Sequence, residues 1–494
     1  MSGRETLEKL LAGAKTGIVP SSVVEADGVA YAYLVVGGAP HVAVAGPNGC
    51  SKGFHSNRLT RLERDITVVC PLTAENAAAL RRALPFTAPR PLHDQPVTIG
   101  LGDRLGIAGP GHLAAIRAYQ AAPVLAQQSV RELTLTSRSF SQVIDASTWA
   151  VFREGYREAW GADGDHLKTP DQVSSALAAG CTMITADVSE SLHGEHLKRS
   201  DGETAQAYAG LPTDYRATIE TRYLGRSFPV EGGVPVSFSS ARLQRAALVY
   251  RDAILHAARL YQACAAAKAD GFDFELSIDE TDTPTTPEAH LFIAMEARAA
   301  GVTIHSLAPR FVGEFQKAVD YIGDLPSFER LFAAHAAVAR SLGHRISVHS
   351  GSDKFAVFPS VGRLTGGRFH LKTAGTSWLE ALRVVAAADA GLFRELYAVA
   401  VRRYGNARKL YHVTPDLSRL PTPERLSPAD GRALLDDGDA RRVLHIAYGE
   451  ILSVPELKKR LFDLLGREAQ AYRSALEAHM GRHLELLGVP SRAS

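Results

Sequence analysis

Cysteine is scarce in this chain: four among 494 residues, at Cys50, Cys70, Cys181 and Cys264. With no C-x-x-C pair among them, they exclude a disulfide frame and a zinc ribbon and read as buried thiols in a reducing compartment. Long apolar runs are missing too. No stretch is long enough to span a bilayer, and the opening MSGRETLEKLLAGAKTG reads as a short amphipathic helix without the apolar core of a signal peptide. Charge of one sign is also lacking: 55 Lys plus Arg stand against 53 Asp plus Glu, a net +2. Such a balance offers no field to a polyanion, so neither nucleic acid nor a membrane is an expected partner. The expectation is a cytoplasmic protein with a small-molecule ligand, and homo-oligomer formation stays open.

Nucleotide signatures are absent as well. GLGDRLG lacks the spacing of G-x-G-x-x-G, and in AVAGPNGCSKG the glycine and lysine are not adjacent as a Walker loop requires. GSDK has too few glycines for that loop. H-E-x-x-H is absent, and the HGEH of His193 and His196 sits in a polar stretch where a solvated role is the expectation.

What is present is a rhythm. Before Leu92, AYAYLVVG, HVAVAG and ITVVCPL read as strands and TAENAAALRRAL as a helix, so residues 1–95 are expected to form an N-terminal α/β extension. FTAPRPLHDQP marks the join. From Val97 onward, short apolar runs with polar or glycine-containing ends alternate with helical stretches. The eight runs are VTIGLGD, APVLAQQS, WGADGDHLK, CTMITADVS, FDFELSIDE, GVTIHSLAP, RISVHSG and GRFHLKTAG. Eight such units predict a TIM-type (β/α)8 barrel over residues 96–415. Between about 190 and 240 a polar insertion follows the fourth strand, a length that suggests a functional or lid-like loop. Residues 416–494 are expected to form a C-terminal helical extension.

Barrel enzymes keep their chemistry at the C-terminal ends of the strands. Strand three ends in Asp165, His166 and Lys168, strand four in Asp187, and strand five in Asp279 and Glu280. His305 is expected to end strand six and His349 strand seven, while strand eight carries His370 and Lys372. Three imidazoles at separate strand ends, His166, His305 and His349, predict an open divalent-metal site. Asp165 and Glu280 would move protons on opposite faces of a substrate, and Lys168, Lys354 and Lys372 would meet an anionic group. The bland alternatives are ordinary. A histidine after an apolar run is more often a hydrogen-bonded core residue, Asp279-Glu280 can cap a turn, and Lys372 can snorkel from the rim.

Taken together, GADGDHLKTP, CTMITADVS, FELSIDETDTPTTPEAH, GVTIHSLAPRF, ISVHSGSDKF and RFHLKTAGTSW resemble the tagaturonate/fructuronate epimerases of bacterial hexuronate catabolism. The resemblance runs from about Gly161 to Pro415. It implies a metal-dependent isomerase that interconverts D-tagaturonate and D-fructuronate, with a divalent cation on His166, His305 and His349; manganese, nickel, cobalt, zinc and iron all stay open. It also implies an acid/base pair of Asp165 or Lys168 with Glu280, the choice within Asp279/Glu280 staying open. The two ketouronates differ at a carbon β to the ketone, which enolisation does not acidify. Retro-aldol cleavage and re-addition is favoured over direct abstraction by a metal-assisted base. Two other readings remain: a metal-dependent sugar aldolase or aldose-ketose isomerase, and a sugar-acid-binding regulator, against which the lack of a basic recognition element speaks.

Overall fold

Alternation at the N-terminus builds a two-faced sheet. The computed structural model describes Leu7 and residues 16–56, 58–62, 65–268, 271–427 and 429–492; apart from Leu7, the stretch read as an amphipathic opening helix lies outside the described residues. Strands β1 (Thr16–Ile18), β2 (Val24–Ala26), β3 (Val29–Val36), β4 (Ala39–Pro47), β5 (Arg58–Leu62) and β6 (Asp65–Pro71) pair antiparallel in the order β1-β3-β4-β6-β5, with β2 also on β3. Successive side chains point to opposite faces. Tyr31 and Tyr33 therefore join Val42, Val44, Val68 and Cys70 on one face, while Ala30, Ala32 and Leu34 join Ala43, Ala45 and Val69 on the other. The first face packs on the expected helix, Ala74–Ala83, and on Trp149 and Phe152 of the barrel helix Phe140–Glu154.

All eight expected runs form strands of one closed barrel: β7 (Val97–Gly100), β8 (Ala122–Ser129), β9 (Gly161–Leu167), β10 (Met183–Asp187), β13 (Asp273–Ile278), β14 (Ser306–Pro309), β15 (Arg345–Val348) and β16 (Phe369–Lys372). Every neighbouring pair is parallel, and β16 closes on β7 with His370 opposite Thr98 and Lys372 opposite Gly100. A short hairpin, β11 (Ser227–Phe228) with β12 (Val236–Ser237), lies outside the barrel. Local chemistry starts and stops the surrounding helices. Thr169 and Thr286 cap Pro170–Ala179 and Pro287–Ala299 by accepting from Gln172 N–H and Ala289 N–H, with proline at the first turn of each. Such caps contribute about 1 kcal/mol each. Gly180, in the left-handed region at φ 108°, ends the first of them.

The 190–240 segment packs mainly against the barrel's flank and meets the mouth at Lys198, which pairs with Asp282 at 3.0 Å. Its helices Asp201–Ala209 and Thr213–Tyr223 lie on the barrel's flank, where Tyr208, Ile219, Tyr223 and Phe238 are buried in the main core. Tyr223 packs on Phe292 and donates its hydroxyl hydrogen to Glu296, both on the helix Pro287–Ala299. Beyond the barrel, a second apolar cluster gathers Trp378 through Ala407 with Leu434 through Leu476. The last helix, Ala469–Leu486, presses on Gly109–Arg117, where a Cβ on Gly111 would come within 2.7 Å of Leu476 Cβ. Among the described residues no helix is long and apolar enough to cross a membrane.

Candidate active site at the barrel mouth

The barrel interior is polar, against the branched aliphatic filling usual for this architecture. Inward positions alternate along each strand: Asp163 and Asp165 on β9, Thr185 and Asp187 on β10, Glu275 and Ser277 on β13, Ser347 followed by His349 on β15, and His370 and Lys372 on β16. Strict alternation would aim His166 outward. A bulge prevents it: β9 pairs Gly164 with Ile184 but Leu167 with Ala186, so Asp165 and His166 together oppose Thr185. His166 takes the left-handed conformation, φ 55°, which re-aims its ring into the mouth beside Asp165. Bulges commonly turn side chains this way next to functional sites.

Lys372 is the charge centre. Its Nζ lies 2.9 Å from Asp163 Oδ2, 2.6 Å from Asp165 Oδ1 and 2.9 Å from Glu275 Oε1, and it donates to Thr185 Oγ1 at 2.5 Å. Burial works against every charge here, but pairing decides the outcome for most. Lys372, His166 and His349 hold Asp165 well below the usual carboxylate range in spite of its burial. Burial is likewise outweighed at Glu275, which Lys372 and His349 keep ionised. Asp163 goes the other way: burial, with Asp165 and Glu275 as like-charged neighbours, outweighs Lys372 and lifts it to about 7.

Two imidazoles face each other above this centre, His166 and His349, with ring centroids 5.1 Å apart. His349 Nε2 is 2.7 Å from Glu275 Oε1, a carboxylate that accepts, so this nitrogen carries the proton and Nδ1 has its lone pair free in the neutral ring. Nδ1 of His349 and Nδ1 of His166 are buried without a hydrogen-bond partner. Asp279 Oδ1 lies 3.4 Å from the former and Asp187 Oδ2 3.6 Å from the latter. His166, Asp187 and Glu280 each offer one ligand atom within 4.8 Å of the others. Despite burial, Asp279 and Glu275 raise His349 to about 10, and His166 lowers Asp187 to about 2. The carboxylates that raise both imidazoles favour positive charge at this point, whether a ring proton or a cation bound to the neutral rings.

The other expected residues go elsewhere. His305 precedes β14 instead of ending it, so it sits at the opposite, N-terminal end of the barrel, and the expected triad with His166 and His349 does not assemble. It lies with His93 and Asp273, its ring centroid 5.3 Å from that of His93. Phe274 N–H donates to His305 Nδ1 at 2.9 Å, which leaves the ring proton on Nε2. Lys354 does not reach the mouth: its buried Nζ donates to the carbonyls of Gln316, Val319 and Ser352 at 2.6–3.0 Å, and burial pushes it down to about 7. Lys168 pairs with Glu190 at 2.8 Å and faces Asp187 at 3.8 Å, outside the mouth lining. Lys372 is within the mouth but occupied by carboxylates, so it has no freedom to snorkel.

The mouth encloses a cavity of about 800 Å³. Asp165, His166, Asp279, Glu280, His349 and Lys372 line its base, and Arg104, Arg131, Arg310 and Lys317 its walls, with Tyr411, His412 and His445 from the C-terminal helical region. No residue of 190–240 lines it among the described residues. Behind the 279–286 loop runs a row of buried histidines: His344 Nε2 is 2.8 Å from His290 Nε2, His290 Nδ1 is 3.0 Å from His335 Nδ1, and His335 Nε2 donates to Thr285 O at 3.0 Å. Another cluster fixes the turn after β15, where His479 Nε2 lies 2.6 Å from Asp353 Oδ1 and Arg441 holds Oδ2 at 2.7 Å.

A closed parallel barrel whose strand ends converge on an acidic, histidine-bearing cavity defines a (β/α)8-barrel enzyme. The comparisons with known proteins specify which. The tagaturonate epimerase family model matches residues 36–487. A tagaturonate/fructuronate epimerase of Thermotoga maritima is 41% identical over 420 residues, 85% of this chain and 86% of that protein. Crystal structures of the fructuronate-tagaturonate epimerase UxaE from Cohnella laeviribosi, native and with glycerol bound, superpose with a TM-score of 0.93 at 41% identity, covering 99% of each chain. The chain belongs to the tagaturonate epimerase family and is an isomerase of the epimerase class.

Proposed function

We propose that this enzyme interconverts D-tagaturonate and D-fructuronate by inverting the hydroxyl-bearing carbon β to the ketone, with a divalent cation in the barrel mouth. The observation that carries the substrate assignment is the similarity along nearly the whole chain to proteins of that named activity. The metal reading rests on the two buried, unpartnered Nδ1 atoms of His166 and His349 among Asp187, Asp279 and Glu280. Imidazole and carboxylate donors of this kind suit a borderline divalent ion such as manganese, cobalt, nickel, zinc or iron. In the chain, His166 and His349 would hold it, with Asp187, Glu280 and Asp279 as the carboxylate donors in reach. Glu275 orients His349 as an outer partner, the arrangement that fixes tautomer and basicity of metal-bound histidines. When bound, a divalent cation supplies Lewis acidity toward a carbonyl or alkoxide.

The chain's own groups divide the remaining work. Asp165, kept ionised by Lys372 at the cost of some basicity, accepts the proton of the C4 hydroxyl. Loss of that proton breaks the C3–C4 bond by retro-aldol cleavage, leaving an enediolate on C1–C3 and an aldehyde at C4. Rotation of the aldehyde and re-addition to its other face remake the bond with the opposite configuration, and the proton returns to the new C4 oxygen. Glu280, which also lines the cavity, is the second proton carrier. The Lys372 ammonium offsets negative charge at the floor of the site, a preorganised stabilisation. Direct proton abstraction at C4 is the competing route, and turnover in D2O separates the two. Retro-aldol cleavage predicts no deuterium at the inverted carbon; its incorporation there overturns this route. Clean conversion of pure tagaturonate into its epimer is expected, and accumulation of an aldose or of three-carbon fragments as products would favour the isomerase or aldolase reading instead.

A further inference from the structure

The sequence pointed to Lys168, Lys354 and Lys372 as the cations for an anionic substrate group, and each is already engaged elsewhere. Four other cations line the mouth. Arg104 is paired with Glu132 at 2.9 Å, donates to His445 O at 2.8 Å and lies 3.8 Å over the Tyr448 ring. Arg131 stacks on Tyr411 with its guanidinium carbon 4.8 Å from the ring centre and donates to the Leu410 carbonyl. Lys317 donates from Nζ to Ser350 Oγ at 2.9 Å. Neither Arg131 nor Lys317 has a carboxylate within ion-pairing distance among the described residues. The same holds for Arg310.

We infer that Lys317, backed by Arg131, is the seat of the substrate's carboxylate and therefore the residue that selects a ketouronate over an uncharged ketose. The inference rests on the reaction proposed above. Placement is its first support. Ser350 follows His349 directly, so an anion on Lys317 lies beside the proposed reaction centre, and in a hexuronate only one carbon separates the carboxylate from the carbon to be inverted. Charge is the second. Among the described residues the one ion pair these three cations make with a carboxylate is Arg104 with Glu132; Glu314, which also lines the cavity, accepts from the Gln316 amide instead. Burial, then Arg104 and Arg131 by like-charge repulsion, lower the Lys317 ammonium, with Glu132 and Asp165 offsetting them only in part. A bound carboxylate relieves that repulsion. The ammonium keeps two donor positions beyond the one given to Ser350, enough for a charge-assisted pair of hydrogen bonds.

The test is calorimetric binding of D-tagaturonate and of its uncharged counterpart D-tagatose to the metal-loaded enzyme, with melting temperature as the control for folding. Wild type is expected to prefer the uronate by roughly a hundredfold, the range of hydrogen bonds to a charged group. Lys317→Met should collapse that preference to within a few-fold while leaving tagatose affinity in place, and Lys317→Arg should restore most of it. Should Lys317→Met fail to fold, Arg131→Met should still weaken uronate binding selectively. Unchanged uronate affinity in Lys317→Met, an equal loss of both ligands, or loss of the preference in Arg310→Met instead would overturn the inference. Preferential uronate binding without epimerisation would overturn the reaction and leave the carboxylate seat standing; epimerisation with the preference intact in Lys317→Met would do the reverse.

Discussion

The two ends of the barrel each gather histidines and an aspartate, and they differ in which ring nitrogen is left over. At the C-terminal end, Glu275 accepts a hydrogen bond from His349 Nε2–H and leaves Nδ1 unpartnered inside the cavity. At the N-terminal end, a backbone N–H occupies His305 Nδ1, so Nε2 must carry the proton of the neutral ring and has no lone pair to give. Asp273, which groups with His305 there, accepts from Leu92 N–H at 2.5 Å and faces His93 at 3.1 Å, a local tie between the barrel floor and the preceding linker. Ligand-like residues within a few ångströms of one another do not suffice for a metal site. The tautomer imposed by the neighbours is what distinguishes the two ends, and the proposed function places the chemistry at the C-terminal one.

Several experiments break or sharpen that contrast. The largest effect is expected from stripping divalent metal with a chelator: activity should vanish and return when metal is restored. Next, His166→Ala or His349→Ala should each lower kcat/KM about a thousandfold or more, the several kcal/mol that a Lewis-acid metal supplies. Glu275→Gln acts through His349, so metal affinity should weaken by roughly 10–100-fold, the usual cost of losing an outer partner; a metal titration reads it. His305→Ala should leave kcat/KM within about threefold and instead lower stability by roughly 1–3 kcal/mol, the cost of an unsatisfied buried N–H, read by denaturant unfolding.

The smallest effect concerns the histidine row behind the mouth. Burial pushes His335 down to about 4 and His344 to about 3, from the ordinary 6.5. The unfolded chain takes up these protons near pH 6.5 and the folded one only well below it. The unfolded state therefore binds more protons in between, and stability falls as pH drops from about 6.5 toward 4. Proton uptake on unfolding at pH 5.5 should diminish in His335→Gln; an unchanged value would contradict the neutral row.

Much of this architecture was legible. All eight barrel strands, the helix capped by Thr169 and the one capped by Thr286 follow from short apolar runs, N-caps, prolines and terminal glycines. His305 was misplaced because GVTIHSLAP has its apolar run before the histidine, while the ladder begins after it, at Ser306. Local pattern marks a strand but not its register within a closed barrel, which is set by pairing with β13 and β15. Asp163 and Glu275 went unassigned, although GADGDHL and FELSID carry a signal for them: polar residues two apart on otherwise apolar runs mark an inward polar face. The bulge at His166 and the carbonyl cage around Lys354 have no such local signature. Both depend on neighbours distant in sequence.

Metal content decides the account most directly. After reconstitution and desalting, plasma mass spectrometry on wild type, His349→Ala and His305→Ala should find about one divalent ion per chain in wild type and in His305→Ala, and essentially none in His349→Ala. Loss of the ion from His305→Ala with retention in His349→Ala would contradict the assignment of the mouth.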